Sequence, residues 1–142
     1  MIVNTVWNGK RYFLSKCPSG FNVEMDATEN YGGDGKGLTS MELILVGVAG
    51  CIGIDVTMLL GKNLEKIKKM EIKTEGFRRD EMPTSFTKIE TTFTIEGNIS
   101  QERLWKAIRL GHKKYCAVSH SLNAEIDYKL NLNGNLVVEK LN

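Results

Sequence analysis

Three thiols, Cys17, Cys51 and Cys116, are the residues of this 142-residue chain with the widest chemistry open to them. A thiolate can act as nucleophile, redox centre or metal ligand. Three cysteines so far apart do not form a disulfide scaffold, and an odd, low count fits a reducing compartment. Cys51 stands between Gly50 and Gly53 in a long apolar run. Free cysteine is among the most buried residue types, so a packing role competes with a chemical one. The charges nearest along that run, Glu42 and Asp55, oppose ionisation of a thiol. An activating cation must come from elsewhere: Arg11, Lys10, Arg79 or a histidine. Arg11 lies beside Trp7, Tyr12 and Phe13 and is a reasonable thiolate partner. Cys17 precedes turn residues and is expected to be incidental.

Cys116 has His112 before it and His120 after it, at spacings of four. On a continuous helix all three would share one face, and Cys51 would complete a tetrahedral zinc site. The spacing matches no recognised structural-zinc pattern. The competing reading leaves His112 solvated with Lys113 and Lys114 while His120 caps or packs, and the expectation is no metal and no cofactor. Asp55 follows Cys51 by one helical turn. Buried, it must be paired or protonated; the expectation is a cation or backbone donors, without a catalytic role. Gly32-Gly33-Asp34-Gly35-Lys36-Gly37 lacks the Walker spacing and reads as a connection. Arg78-Arg79-Asp80-Glu81 reads as a solvated link.

The elements that must hold these groups follow from periodicity. Residues 2–7 alternate apolar and polar, and Asn8-Gly9 is a hairpin signal. Strands are expected over 11–15 and 21–27, the latter after the turn Pro18-Ser19-Gly20. Thr39-Ser40-Met41-Glu42 has capping-box spacing, with Thr39 as N-cap, and opens a helix that Gly61 stops. Between Leu43 and Leu60 the only charge is Asp55. A run of that length raises the possibility of a membrane span. Gly47, Ala49, Gly50, Gly53 and Asp55 argue instead for the central helix of a fold. Strands are expected over 66–77 and 84–97, then a helix capped by Ser100 that ends or restarts near Cys116. A hairpin around Asn133-Gly134, with strands over 123–131 and 135–139, closes the chain. This segregated order predicts the α+β class and one domain over 1–142. A second helix face left needing cover predicts a homodimer.

The net charge of +2, with both signs interspersed, excludes a strong electrostatic case for a nucleic-acid partner. The start, MIVNTVWNGK, has no basic run before an apolar block. No signal peptide, no membrane partner and a cytoplasmic location are therefore expected.

Thr39-Ser40-Met41-Glu42-Leu43 through Val48-Ala49-Gly50-Cys51 to Ile54-Asp55-Val56 resembles the central-helix signature of the OsmC/Ohr family. The abbreviations stand for osmotically inducible protein C and organic hydroperoxide resistance protein. Cys116-Ala117-Val118-Ser119-His120 resembles the family's second-cysteine motif, in which Cys-Pro-Val-Ser is typical. Arg79, Pro83, Phe86, Ile89, Gly97 and the Trp7-Asn8-Gly9 start sit in familiar places. The resemblance implies an OsmC-like fold, with strands wrapped around a long apolar helix in an intertwined homodimer whose sites lie at the interface. It also implies peroxidase chemistry with neither metal nor flavin. Cys51 would form a sulfenic acid and Cys116 would resolve it to a disulfide that a dithiol reductant reopens. In the peroxidases a proline and then a glutamate open the helix, the glutamate orienting a catalytic arginine. Aligned on Cys51, this chain has Ser40 and Met41 at those positions. Glu42 is one residue late, a rotation of roughly 100°, and Arg11 is the nearest candidate for the arginine. The Met-Glu-Leu variant resembles the YhfA-type branch.

The leading expectation is thus a thiol-dependent reductase of organic hydroperoxides, with Cys51, Cys116 and Arg11 as its site. An interface lined by Met41, Met58, leucines and isoleucines favours apolar substrates. The alternatives are a module binding a small hydrophobic molecule and a redox sensor without turnover.

Overall fold

Alternation of apolar and polar side chains and well-placed turn glycines build most of the observed strands. The computed structural model describes residues 1–139. They form two compact units, Met1–Ile44 and the chain from Leu45 onward.

The first unit holds a three-stranded antiparallel sheet of β1 (Asn4–Trp7), β2 (Phe13–Lys16) and β3 (Asn22–Met25). Gly9 at φ 103° and Lys10 at φ 44° turn the first hairpin, so the Asn8-Gly9 signal marks a real turn. The loop after β3 is organised by Asp26. Its carboxylate accepts the backbone N–H groups of Ala27, Asp34 and Lys36 at 2.8, 3.0 and 3.1 Å. Lys10 ties the hairpin to the same loop through Asp34 at 2.6 Å.

Helix α1 (Ser40–Leu60) starts in this unit and continues into the second. Its start is the expected reciprocal cap: the Thr39 N–H donates to Glu42 Oε2 at 2.7 Å and the Glu42 N–H to Thr39 Oγ1 at 3.3 Å. Gly61, at φ 51°, ends it.

The second unit contains β4 (Ile67–Arg78), β5 (Phe86–Gly97), β6 (Glu125–Leu132) and β7 (Asn135–Val138) in that sheet order. β5 and β6 are parallel and the other pairs antiparallel. A parallel pair needs a long crossover. Helix α2 (Gln101–Leu110), a π turn (Gly111–Tyr115) and the short helix α3 (Ala117–His120) supply it. Ser100 occupies the N-cap of α2 as expected, but its side chain makes no capping bond. On β5 the odd positions Ile89, Thr91, Phe93 and Ile95 are buried, as a period of two demands. Of these, Ile89, Phe93 and Ile95 meet Val48, Ile52, Val56 and Leu60 of α1, Leu104, Trp105 and Ile108 of α2, and Ile126, Tyr128 and Leu130 of β6 in one core.

By length and composition, residues 40–66 pass as a membrane-crossing stretch, with 28% of the most apolar part buried inside the chain. One side of α1 is core, whereas Val46, Ile54 and Met58 on another are exposed. The observed order of elements is the expected α+β order.

Candidate functional site

Cys51 and Cys116, sixty-five residues apart in sequence, come together in the second unit. Asp55 joins them, and the two sulfurs and a carboxylate oxygen all lie within 4.8 Å of one another. All three cysteines are free thiols.

Local structure explains the meeting. Cys51 and Asp55 are one turn apart on α1, so their side chains share a face. Across from them the π turn begins at Gly111. A Cβ built there would lie 3.0 Å from Ile52 Cδ1 and 3.4 Å from Asp55 Cβ, so the absence of a side chain lets this turn sit close on α1. The Cys116 N–H donates to the Gly111 carbonyl at 2.8 Å, closing the wide turn. The Cys116 backbone then leaves helical geometry, with φ −68° and ψ 89°, before α3 starts. The Cys116 carbonyl accepts the Ser119 hydroxyl at 2.9 Å and the His120 N–H at 3.3 Å.

That break falls where the helix was expected to end or restart, and it removes the continuous helix on which the zinc arrangement depended. His112, Cys116 and His120 do not share one helical face. The π turn and the break at Cys116 send the thiol into the core and leave the two imidazoles together. Their rings stack with centroids 6.0 Å apart, and His120 Nε2 meets the His112 carbonyl at 2.9 Å. Nor is His112 simply solvated. Its Nδ1 lies 3.3 Å from the hydroxyl of buried Tyr128, and the rings meet edge-on at 5.2 Å.

Asp55 also departs from expectation. It meets neither a cation nor backbone donors at Oδ2, which is buried and has no hydrogen-bond partner among the described residues. Burial pushes its carboxyl above the ordinary aspartate range.

Cys51 is pulled both ways. Burial, the largest influence, pushes its thiol up. The Val118 N–H donates to its sulfur and opposes that rise. A hydrogen bond with Cys116 and the charges of Cys116 and Asp55 push it up again. None of these influences is a cation. Tyr128 is raised beyond the ordinary tyrosine range by burial and by the nearby Cys116, Cys51 and Asp55. His112 is lowered by burial first, then by His120 and Lys113.

Arg11 and Cys17 belong to the first unit, Arg11 in the turn that joins β1 to β2 and Cys17 just after β2. Tyr128 escaped the sequence reading. A tyrosine alternating with Ile126 and Leu130 must carry its hydroxyl inward, and that pattern is the signal that points to it.

Elsewhere on α1, the helix and β4 line a groove of about 310 Å³ with Ala49, Gly50, Gly53, Ile54, Thr57, Met70 and Ile72. Its walls are mainly small or apolar.

The model of the family described as OsmC-like protein matches residues 33–131. Protein YhfA of Escherichia coli strain K12 is 32% identical over 116 residues, 81% of this chain and 84% of that protein. A solved structure of a hypothetical protein from Aquifex aeolicus VF5 is 29% identical, with a TM-score of 0.76 over 93% of this chain and 96% of that one. An organic hydroperoxide resistance protein from Elizabethkingia anophelis, solved with thiocyanate bound, is 17% identical and shares the fold, with a TM-score of 0.66 over 95% and 97% of the two chains. The matched region carries both Cys51 and Cys116, and on these likenesses the chain belongs to the OsmC-like protein family.

Proposed function

We propose that this protein is a thiol-dependent peroxidase that reduces organic hydroperoxides. The observation that carries the reading is the approach of Cys51 and Cys116, sulfurs within 4.8 Å, from two separate elements of the second unit. Two free thiols at that range need little movement to form a disulfide, whose sulfurs stand about 2.05 Å apart.

The Cys51 thiolate attacks the terminal oxygen of the hydroperoxide. An S–O bond forms, the O–O bond breaks and an alcohol leaves. Cys51 is then a sulfenic acid, oxidised by two electrons. The Cys116 sulfur attacks Cys51, the S–S bond forms and water leaves. A dithiol reductant reopens the disulfide and is itself oxidised. Half-exposed Cys51 suits the attacking role, and fully buried Cys116 suits the resolving one. The Val118 N–H supports the thiolate, but burial works against it. A cation is therefore required, and Arg11 is assigned that role. The apolar groove between α1 and β4, which reaches Gly50 next to Cys51 in the chain, suits the organic part of such a peroxide.

The protein acts as a homodimer in this reading. Val46, Ile54 and Met58 are apolar yet exposed on α1 and form a ridge at spacings that a second copy can cover.

In the test, wild type with dithiothreitol consumes cumene hydroperoxide, Cys51→Ser consumes none, and Cys116→Ser stops after one equivalent. Wild type that consumes no peroxide sinks the reading. The groove alone favours a second reading, a module that binds a small hydrophobic molecule. Native mass spectrometry showing such a molecule, with both thiols inert to peroxide, would support it.

A further inference from the structure

The peroxidase reading leaves one reacting atom without a partner. An alkyl hydroperoxide releases an alkoxide, a leaving group about as basic as hydroxide, whose conjugate acid ionises near 15.7. Such a group leaves readily only if it is protonated as the O–O bond breaks. A proton donor must stand beside the attacking sulfur.

The second unit offers few groups for the task. The Tyr128 hydroxyl is engaged with His112 Nδ1 at 3.3 Å, and it holds its proton more tightly than an ordinary tyrosine. His112 is held toward its neutral form, and His120 Nε2 is engaged with the His112 carbonyl. Cys116 is reserved for resolution. Asp55 is different. Its carboxylate lies within 4.8 Å of both sulfurs, its side chain is 9% exposed, and its buried Oδ2 has no hydrogen-bond partner among the described residues. An unpaired carboxylate is costly in such a place, whereas a neutral carboxyl is much less so. A leucine would fill the same face of α1 at no such cost, so a packing role does not explain the residue.

We propose that Asp55 is the proton donor of the reaction, delivering its carboxyl proton to the alkoxide that leaves as the Cys51 sulfur attacks. The assignment rests on the peroxidase reading above. Cys51 thiolate, hydroperoxide and the Asp55 carboxyl give Cys51 sulfenic acid, alcohol and Asp55 carboxylate. The sulfenic hydrogen is the hydroperoxide's own. Cys116 thiol and Cys51 sulfenic acid then give the disulfide and water. The dithiol reductant supplies two electrons and two protons, which restore the Cys51 thiolate, the Cys116 thiol and the Asp55 carboxyl. Burial favours the protonated form of Asp55 to which each cycle returns.

The test varies the leaving group. A peracid releases a carboxylate, whose conjugate acid ionises near 4 and which needs no proton donor. Single-turnover oxidation of Cys51 is followed with tert-butyl hydroperoxide and with peracetic acid, in wild type and Asp55→Asn. The expected result is a loss of about 10²-fold or more with the alkyl hydroperoxide. With the peracid the rates agree within about threefold. Asp55→Asn exchanges one neutral side chain for another, so Cys51 alkylation by iodoacetamide is also expected to match wild type within about threefold.

Wild type alone gives a second reading should the variant fail to fold. Its alkyl hydroperoxide rate falls at high pH relative to its peracid rate counted per un-ionised peracid, as Asp55 loses its proton. The other titratable groups facing the cluster are Cys51, Cys116, Tyr128 and His112. Of these, the two thiols act on both substrates alike. Equal losses with both substrates, or no loss with either, overturn the assignment of Asp55 and leave the peroxidase reading standing. If wild type reduces no alkyl hydroperoxide, both fall together.

Discussion

The backbone N–H of Val118 donates to the sulfur of Cys51, although 67 positions separate the two residues. Val118 stands two residues beyond Cys116, so the segment that delivers the resolving thiol also brings a donor to the attacking one. A shift of that segment would alter both at once.

The acidity of Cys51 checks the role of Arg11. Within its own unit the thiol is pushed up, chiefly by burial. If Arg11 stabilises the thiolate, Arg11→Ala moves the inflection of Cys51 alkylation to higher pH than in wild type. Iodoacetamide rates measured across pH on a Cys17→Ser, Cys116→Ser background isolate the relevant thiol. An unmoved inflection removes Arg11 from the site.

One equivalent of cumene hydroperoxide should consume two thiols of three. Cys51 and Cys116 pair, and Cys17, in the other unit, stays free. Titration of the unfolded product with a chromogenic disulfide reads the count directly. Loss of one thiol alone would show a sulfenic acid that Cys116 does not resolve.

Gly111→Ala tests how the π turn is seated. The new methyl meets Ile52 Cδ1 at 3.0 Å and Asp55 Cβ at 3.4 Å. Overpacking of this kind costs about 1–3 kcal/mol. The variant should also close the disulfide more slowly, because Cys116 hangs from the Gly111 carbonyl. Denaturant melts and quenched-flow trapping of the disulfide measure the two effects separately.

Acid sensitivity has a named source on the sheet. Glu90 receives Lys129 and Lys88, both at 2.7 Å, and is lowered to about 2, with the lysine hydrogen bonds the leading causes. A depressed carboxyl stabilises the fold above its unfolded value of 4.5 and loses that contribution as pH falls toward about 2. Glu90→Gln should therefore flatten the melting temperature against pH within that window and lower it above. Parallel pH dependences for the two proteins would contradict the assignment.

Much of this fold could be read from the chain because its signals were local. Asn8-Gly9, Asn133-Gly134, Thr39 with Glu42, and the alternation from Ile89 to Ile95 each act within a few residues, and each stands where expected. The start of α2 was legible as a position, though not as a bond, because whether the Ser100 hydroxyl turns to its cap depends on neighbours. The site was legible in part. Cys51 and Cys116 were marked by type and motif, but their approach is a tertiary fact. The break at Cys116 stands where the helix was expected to end or restart, and the π turn before it was the obscure step. Nothing in Gly111-His112-Lys113-Lys114-Tyr115 announces a π turn, and an unbroken helix would have put Cys116 on one face with the histidines instead. Asp55 was visible as a problem, a carboxylate in an apolar run. Its lack of a partner depends on what surrounds it, which no spacing along one helix reveals.

The Asp26 cradle described in the first unit has a consequence for how relatives of this chain vary. Three backbone N–H groups fix the loop from one carboxylate, so Asp26, with the ion pairs of Asp34, holds the shape without help from the side chains between Ala27 and Gly33. A Cβ at Gly33 would fall 1.8 Å from the Ala27 carbonyl oxygen, inside that same cradle. Thr28, Glu29 and Asn30 are then free to drift between lineages. Positions 26 and 33 are not, and an alignment should show the two retained together or lost together, with a change of loop length where they are lost.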